Sequence, residues 1–328
     1  MNALTSPEST LQQRTYSRGC VDTDIPGWKL HSVQTTSGAL DGGARELHAA
    51  GVQVLEEHYR HVVTNHYGVA PPGAIGFVIP GSMQCEGVFD GRPWKPGGIC
   101  LWNTNREFNA MAPPSDLLCV IVDRGLLTEH VFHTEHIDLE PALLRANLVT
   151  RPVASTARLA HRMGQLIDAG FSDEWDTATP AAQQAIRQEV LETLAPFVVE
   201  QLAGEHDHRG RFSHLVNVRR ARDVALSQPD TPLQVQDLCQ ALQVSRRTLQ
   251  ESFRVVLGIS PLTYLRALRL DGARRELMAG RSVKEVIEHW GFWHWSRFSQ
   301  DYRRLFGELP SATMRRAGLQ PPLHPLHS

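Results

Sequence analysis

A pattern of apolar residues that occurs twice in the last third of the chain constrains its fold more than any other feature. The first copy lies in residues 232–254 and the second in residues 282–311. The matching pairs are Val235 with Val283, Leu242 with Trp290, Leu249 with Phe298, and Phe253 with Tyr302. The offset is 48 residues for the first two pairs and 49 for the last two. The chain therefore holds an internal repeat, with one residue added in the middle of its second copy.

Each copy predicts two short helices separated by a tight turn, because its apolar residues recur three and four positions apart. In the first copy Val244 fills the turn and Ser245 is a good N-cap for the next helix. A helix-turn-helix unit places its second helix in the major groove of DNA. The predicted DNA-binding residues are Ser245, Arg246, Arg247, Thr248, Gln250, Glu251 and Arg254 in the first copy and Trp295, Ser296, Arg297, Ser299, Gln300 and Arg303 in the second. We also expect one of Trp293 and Trp295 to be a packing residue.

The segment between the copies, residues 261–279, predicts one stiff helix that begins at Pro261, a favoured first helical residue. Its leucines can face inward, and Arg269, Arg274 and Arg275 can face a phosphate backbone. A rigid helix would hold the second helices of the two copies at a fixed distance, which suits successive major grooves about 34 Å apart.

Residues 232–316 resemble the DNA-binding domain of the AraC/XylS family of transcription regulators. The resemblance rests on VSRRTLQESFRVVLGISPLTYLRALRL (residues 244–270) and WGFWHWSRFSQDYRRLFGELPS (residues 290–311). It implies two helix-turn-helix units, a linker helix, promoter DNA and RNA polymerase as partners, and a homodimer. It places DNA contacts on Arg246, Arg247, Gln250, Glu251, Trp295, Ser296, Arg297, Ser299 and Gln300.

Two residues depart from the family pattern. Gln243 stands at a turn position that is commonly glycine, and a left-handed backbone there would cost a non-glycine residue on the order of 1 kcal/mol. Glu251 stands where basic residues are frequent, and a glutamate repels phosphate unless it accepts a hydrogen bond from a cytosine N4. Glu251 is therefore either a base-reading residue or the partner of Arg247 or Arg254. Both readings stay open.

Charge is divided unevenly along the chain. Residues 211–328 hold 18 Lys and Arg against 10 Asp and Glu, whereas residues 1–210 hold 15 against 25. A basic module joined to an acidic one is typical of a polyanion-binding part attached to a sensing or assembly part. The chain has no apolar run of the roughly 20 residues that cross a bilayer, no signal-peptide pattern and no CxxC pair. We therefore expect a cytoplasmic protein with no membrane partner.

The first two-thirds predicts strands followed by helices. Short apolar segments broken by turns over residues 51–122 favour a β-sandwich or a β-barrel, of which we expect a cupin-like barrel. Helical patterns follow near 123–132, 152–169 and 180–203. The predicted fold class is α+β: an N-terminal β-barrel sensing domain with helices, then an all-α DNA-binding domain of two helix-turn-helix units joined by a linker helix. The predicted divisions are a loosely ordered 1–40, a sensing and dimerisation domain at 41–205, a linker at 206–214, the DNA-binding domain at 215–317 and a disordered tail at 318–328.

An effector pocket inside the barrel is expected, lined by Phe77, Trp94, Trp102 and Phe108. His58, His61 and His66 lack a recognised metal-ligand spacing, and no catalytic motif is present, so we predict no metal, cofactor or enzymatic activity. The strand-rich segment with EGVFDGRPWKPGG (residues 86–98), two predicted helices, and the motifs VSRRTLQ and WGFWH make the chain similar to regulators of ethanolamine-utilisation operons. That likeness implies a small amino alcohol as effector, with a cobalamin as a further candidate.

The predicted function is therefore a transcription regulator, expected to be an activator, that responds to a small molecule. Two alternatives stay open: a barrel-type enzyme with a DNA-binding appendage, and a constitutive DNA-binding dimer without an effector.

Overall fold

A computed structural model describes residues 10–17, 25, 27–150, 155–172, 175–202 and 212–317. Its first part is built from strands and a few helices, and its last part is entirely helical within the described residues. The strands are, in chain order, β1 (Thr10–Ser17), β2 (Lys29–Gln34), β3 (Asp41–Ala49), β4 (Val52–Arg60), β5 (Thr64–Val69), β6 (Ala74–Met83), β7 (Gly87–Phe89), β8 (Arg92–Trp94), β9 (Cys100–Asn103), β10 (Phe108–Ala112), β11 (Ser115–Asp123) and β12 (Asn147–Val149).

The strands form two antiparallel sheets. The larger sheet has the order β1-β3-β4-β11-β6-β9-β12, and the smaller has the order β2-β5-β10-β7-β8. One apolar core lies between them and takes Leu55, Trp102 and Cys119 from the larger sheet and Phe89 and Phe108 from the smaller. Short strands broken by turns fit a sandwich as well as a barrel, because the periodicity of the two is the same.

The prediction of a closed barrel is wrong, because no strand ladder joins the two sheets within the described part of the chain. The cupin-like likeness stays a prediction. The prediction of a loosely ordered segment over residues 1–40 is wrong for residues 29–34. They form β2, the edge strand of the smaller sheet, and bury Leu30 and Val33. Residues 1–9 and 18–24 lie outside the described residues.

The outer face of the larger sheet is covered by helices. They are α1 (Arg124–Glu135), α2 (Glu140–Arg145), α3 (Ser155–Gly170) and α4 (Pro180–Leu202), which confirms the three predicted helical patterns. Alternate residues of the strands, such as Leu47, Val54 and Phe77, pack against these helices in a second core. No helix in the described residues is long and apolar enough to cross a membrane.

The C-terminal part contains seven helices within residues 212–317. They are α5 (Phe212–Ser227), α6 (Val235–Leu242), α7 (Arg246–Leu257), α8 (Pro261–Met278), α9 (Val283–His289), α10 (Trp295–Phe306) and α11 (Pro310–Arg316). Because α5 begins at Phe212, the end of the predicted 206–214 linker is helical; its residues 206–211 and the predicted tail at 318–328 lie outside the described residues.

The smaller sheet packs against this helical part. Val33, Tyr67 and Met111 belong to the same apolar cluster as Leu215 and Val218 of α5. The two parts are therefore in direct contact.

Polar groups reinforce this contact. Glu107 lies 2.7 Å from Arg222 of α5 and also accepts a hydrogen bond from Arg219. The Gln34 side chain donates to the Leu305 carbonyl at the end of α10, at 2.6 Å.

Candidate nucleic-acid interface

The first helix-turn-helix unit consists of α6, a short turn and α7. Asp237 accepts a hydrogen bond from the Gln234 backbone at 2.7 Å, which caps the start of α6. Gln243 ends α6 in the left-handed region, with φ of 57°. Ser245 accepts a hydrogen bond from the Thr248 backbone at 3.0 Å and starts α7 as predicted.

The outward face of α7 is polar and basic. Leu249 and Phe253 are fully buried, so the opposite side of the helix faces solvent. Its exposed residues are Arg246, Arg247, Thr248, Gln250 and Arg254, with Ser245 exposed before them and Glu251 half-exposed. The predicted residues therefore share one surface, although their binding role stays a prediction.

Glu251 is held by Arg254. The Arg254 Nε donates to the Glu251 carboxylate at 3.1 Å, and a second guanidinium hydrogen bond completes the pair. This hydrogen bond lowers the pKa of Glu251 and raises that of Arg254. Two roles were left open for Glu251, base reading and pairing with an arginine. In this structure, which contains no DNA, Glu251 is paired with Arg254.

The second unit consists of α9, its turn and α10. Ser282 and Glu285 form a reciprocal capping box at the start of α9. Phe292 fills the turn and packs on Phe298, with ring centroids 4.9 Å apart. The outward residues of α10 are Trp295, Ser296, Arg297, Gln300 and Arg303, all exposed, and Ser299, which is half-buried.

Neither candidate tryptophan packs in the core, so the prediction that one of Trp293 and Trp295 does so is wrong. Trp293 is 78% exposed and Trp295 is 45% exposed. The interior positions are taken by Trp290, Phe292 and Phe298.

The linker helix α8 does not present three arginines to DNA. Arg274 is 1% exposed; it lies 3.1 Å from Glu308 and stacks over Phe306. Arg269 donates to the carbonyls of Trp290 and Gly291, and Arg275 pairs with Asp271. Because helices of both units pack on α8, these arginines form hydrogen bonds and ion pairs within the helical part.

Three of the four predicted pocket residues line one cavity of about 50 Å³ between the sheets: Trp94, Trp102 and Phe108. Phe77 does not line it. It points to the helices on the other face of the larger sheet, and its neighbour Val78 faces the cavity instead. The cavity is also lined by Trp28, Tyr59 and Phe89, which were not predicted. Their aromatic character is evident from the sequence, but the face of the sheet on which each side chain lies is not.

The cavity wall also carries polar groups. Glu57 contributes a carboxylate, and the buried indole nitrogen of Trp102 has no hydrogen-bond partner within the described residues. The cavity is large enough for a few water molecules. A small ligand would therefore have to widen it.

The three histidines considered as metal ligands have separate surroundings. His58 bonds to Asp116 at 2.8 Å, His61 is exposed, and His66 lies between the hydroxyls of Ser32 and Thr64. Burial lowers the pKa of His66 to about 4. Within the described residues, no group of three His, Cys, Asp or Glu side chains could hold a metal ion.

Comparison with known proteins shows that residues 238–316 match the family model of a helix-turn-helix domain. The probable thc operon regulatory protein of Rhodococcus erythropolis is 34% identical over 123 residues, 35% of this chain and 37% of that protein. The XylDLEGF operon transcriptional activator 1 of Pseudomonas putida is 36% identical over 88 residues, 26% of this chain and 27% of that protein. The chain thus spans 27% to 37% of the length of these relatives.

Two solved structures are similar to the chain over different extents. The match to the AraC-like transcriptional activator CuxR covers 83% of this chain and 89% of the CuxR chain, at 14% identity and a TM-score of 0.38. A probable AraC family transcriptional regulator from Rhodopseudomonas palustris covers 32% of this chain and 99% of its own, at 28% identity and a TM-score of 0.29.

Proposed function

We propose that this chain is a DNA-binding transcription regulator of the AraC/XylS type, which binds promoter DNA through both of its helix-turn-helix units. One observation carries the proposal. Helices α7 and α10 each bury one side and expose a polar, arginine-bearing face, and both belong to a repeat that matches a helix-turn-helix domain model. Two such faces on one chain fit two adjacent major-groove segments.

The electrostatic balance favours the same reading. Residues 211–328 carry 18 basic and 10 acidic residues, so the helical part attracts a polyanion. Much of the binding free energy would then come from release of counterions, and affinity would fall steeply with salt. Arg247 and Arg297 form no ion pair within the described residues, which leaves both side chains available for DNA.

We further propose that a small molecule controls this binding from the cavity between the sheets. Phe108 lines the cavity, and its neighbour Glu107 binds Arg219 and Arg222 of α5. A ligand that displaces β10 would therefore change the contact between the sheet and α5, which packs on both helices of the first helix-turn-helix unit. An amino alcohol, which the ethanolamine-operon likeness suggests, would find a carboxylate at Glu57 and a hydrogen-bond donor at Trp102.

Activation of transcription, contact with RNA polymerase and dimerisation belong to the same proposal. They rest on the named role of the Pseudomonas putida relative as an activator and on the sequence resemblance. The alternatives, an enzyme with a DNA-binding appendage and a constitutive DNA-binding dimer, differ from it in a measurable way. The first predicts turnover of a compound, and the second predicts DNA binding that no small molecule changes.

Arginine variants test the DNA-binding proposal. Specific sites are first selected from random duplexes with the full chain. Arg247→Ala and Arg297→Ala should each weaken specific binding by about 1–3 kcal/mol, whereas Arg315→Ala, an exposed arginine on α11, should have little effect. Equal losses on specific and random DNA would contradict base reading, and failure to select any duplex would contradict the proposed function.

A thermal-shift and DNA-affinity screen of amino alcohols and other small metabolites tests the sensing proposal. A true effector should raise the unfolding temperature and change promoter affinity. A Trp102→Ala variant should lose both effects. If no compound changes either quantity, control by a ligand is wrong.

A further inference from the structure

The two turns differ by one residue, and the structure shows which one it is. Gln243 and Gly291 both have left-handed backbones, and Val244 and Phe292 both fill their turns. Ser245 and His294 are the N-caps of the helices that follow. The residue left over between these matched positions is Trp293.

Trp293 is more exposed than any other large apolar side chain in the described residues, at 78%. Full burial of a large apolar side chain is worth enough to change an equilibrium constant by one to two orders of magnitude, about 10- to 100-fold. An exposed indole that shares a groove with a second exposed apolar side chain, Leu262, marks a surface that a partner would cover.

The position of Trp293 favours DNA as that partner. It lies two residues before the start of α10, and the N-terminal residues of a reading helix are those that contact base edges. It lines a groove of about 400 Å³ together with Leu262 and Arg297. Leu262 is 55% exposed, so the groove presents apolar surface beside a cation.

The acidic side chain in this groove is already neutralised. Asp301 is held by Arg266 and Arg304, so it does not repel a phosphate backbone. Arg297 is exposed and forms no ion pair within the part of the chain that the structure describes. An apolar surface beside an unpaired arginine fits the edge of a duplex, where thymine methyl groups and phosphates lie close together.

We infer that Trp293 is a specificity-determining residue that contacts a thymine 5-methyl group at the edge of the major groove read by α10. This inference rests on the proposed DNA-binding function and adds a preference to it. Thymine would be favoured at one position of the second unit's segment. The first unit has no residue at the matching place, so its segment would lack this preference.

A methyl-deletion cycle on the full chain tests the inference. On a selected duplex, each thymine is replaced in turn by deoxyuridine, which removes only the 5-methyl group. The wild type should lose about fourfold in affinity at one position in the second unit's segment, as expected for one buried methyl group. Trp293→Ala should bind the thymine duplex about tenfold more weakly and should not distinguish thymine from deoxyuridine there.

Two controls separate the contact from other effects. Trp293→Phe should retain part of the discrimination, because a phenyl ring still covers a methyl group. Phe132→Ala, which removes another exposed aromatic ring from α1, should bind like the wild type. All variants should unfold at the wild-type temperature, since these side chains lie at the surface.

Equal thymine discrimination by wild type and Trp293→Ala would overturn the inference while leaving the proposed function intact. So would unchanged DNA affinity of Trp293→Ala together with weaker transcription by purified RNA polymerase, which would make the partner a protein. If the wild type binds no selected duplex, the proposed function fails and the inference fails with it.

Discussion

The two helix-turn-helix units share a core pattern but form their turns under different constraints. Gln243 and Gly291 have nearly the same backbone, with φ of 57° and 61°. A Cβ at Gly291 would lie 2.2 Å from the Asp230 carbonyl oxygen, whereas Gln243 is exposed. The left-handed backbone alone tolerates glutamine. Close approach of another backbone is what requires glycine in the second unit.

The units also differ in what supports them. The first lies against the smaller sheet, with α7 near β7 and β10, and it also packs on α5, whose Arg222 pairs with Glu107. The second is closed by a buried ion network in which Arg274 and Arg316 both bind Glu308. A change in the N-terminal sheets therefore reaches the first unit through packing, but reaches the second mainly through hydrogen bonds to the Leu305 carbonyl.

The largest effect should come from the ion network. Arg274→Ala removes a fully buried partner of Glu308 and the group that stacks on Phe306. We expect a loss of about 3–5 kcal/mol in the free energy of unfolding, because a fully buried side chain is truncated and Glu308 keeps only its more exposed cationic partner Arg316. Arg281→Ala, in the more exposed pair with Glu276, should lose less than about 1 kcal/mol. Urea denaturation measures both, and equal losses would refute the difference.

Substitutions in the two turns should have smaller effects on the free energy of unfolding, and these effects should differ between the units. Gly291→Ala combines a left-handed alanine with a backbone clash, so we expect a loss of about 2–4 kcal/mol. Gln243→Ala keeps a Cβ that the first turn already accommodates and removes only the exposed hydrogen bond from Gln243 to the Gln240 carbonyl. Its loss should stay below about 1 kcal/mol. Similar values in denaturation experiments would mean that the approach of Asp230 is unimportant.

Acidification should affect the second unit through Glu308. Burial acts to raise the pKa of Glu308, but hydrogen bonds from Arg316 and Thr313 outweigh it and the pKa is lowered from 4.5. Its contribution to stability is therefore full above pH 4.5 and is lost as the pH falls through the lower, folded-state pKa. Glu308→Gln should be less stable than the wild type at neutral pH, by on the order of 1 kcal/mol, and should lose less stability on acidification. Urea denaturation at a series of pH values checks this, and parallel curves for variant and wild type would contradict it.

Helix capping should give the smallest difference. Ser245 caps α7 with a side-chain hydrogen bond, whereas His294 makes none at the start of α10. Ser245→Ala should lose about 1 kcal/mol, and His294→Ser should gain roughly 0.5–1 kcal/mol. Thermal unfolding checks both. A loss with His294→Ser would show that the histidine has a role that capping does not explain.

Much of the interface was predictable from local periodicity. The spacing of Leu249 and Phe253 fixes which side of α7 is buried, so the outward positions follow directly. The one-residue addition in the second turn was predictable for the same reason. Periodicity does not show which other elements a helix packs against. Periodicity therefore places Arg274 toward DNA, although Glu308 and Phe306 cover it in the folded chain.

The N-terminal part was less predictable because a strand has two faces. Phe77 and Val78 are equally apolar neighbours, and only the packing of helices on one side of the sheet decides which of them lines the cavity. Closure into a barrel depends on hydrogen bonds between strands that are distant in sequence. Turn residues such as those near Gly73 mark where strands end but not which strands pair.

A footprint of the full chain on a selected duplex tests the central claim most directly. If both units of one chain read DNA, hydroxyl-radical cleavage should show two protected stretches on one face of the duplex, about 10 base pairs apart. Arg247→Ala should weaken one stretch and Arg297→Ala the other. Insertion of about five base pairs between the stretches should abolish joint protection, because it rotates one segment to the opposite face. A single protected stretch for each chain, or a footprint that tolerates the insertion, would contradict the account.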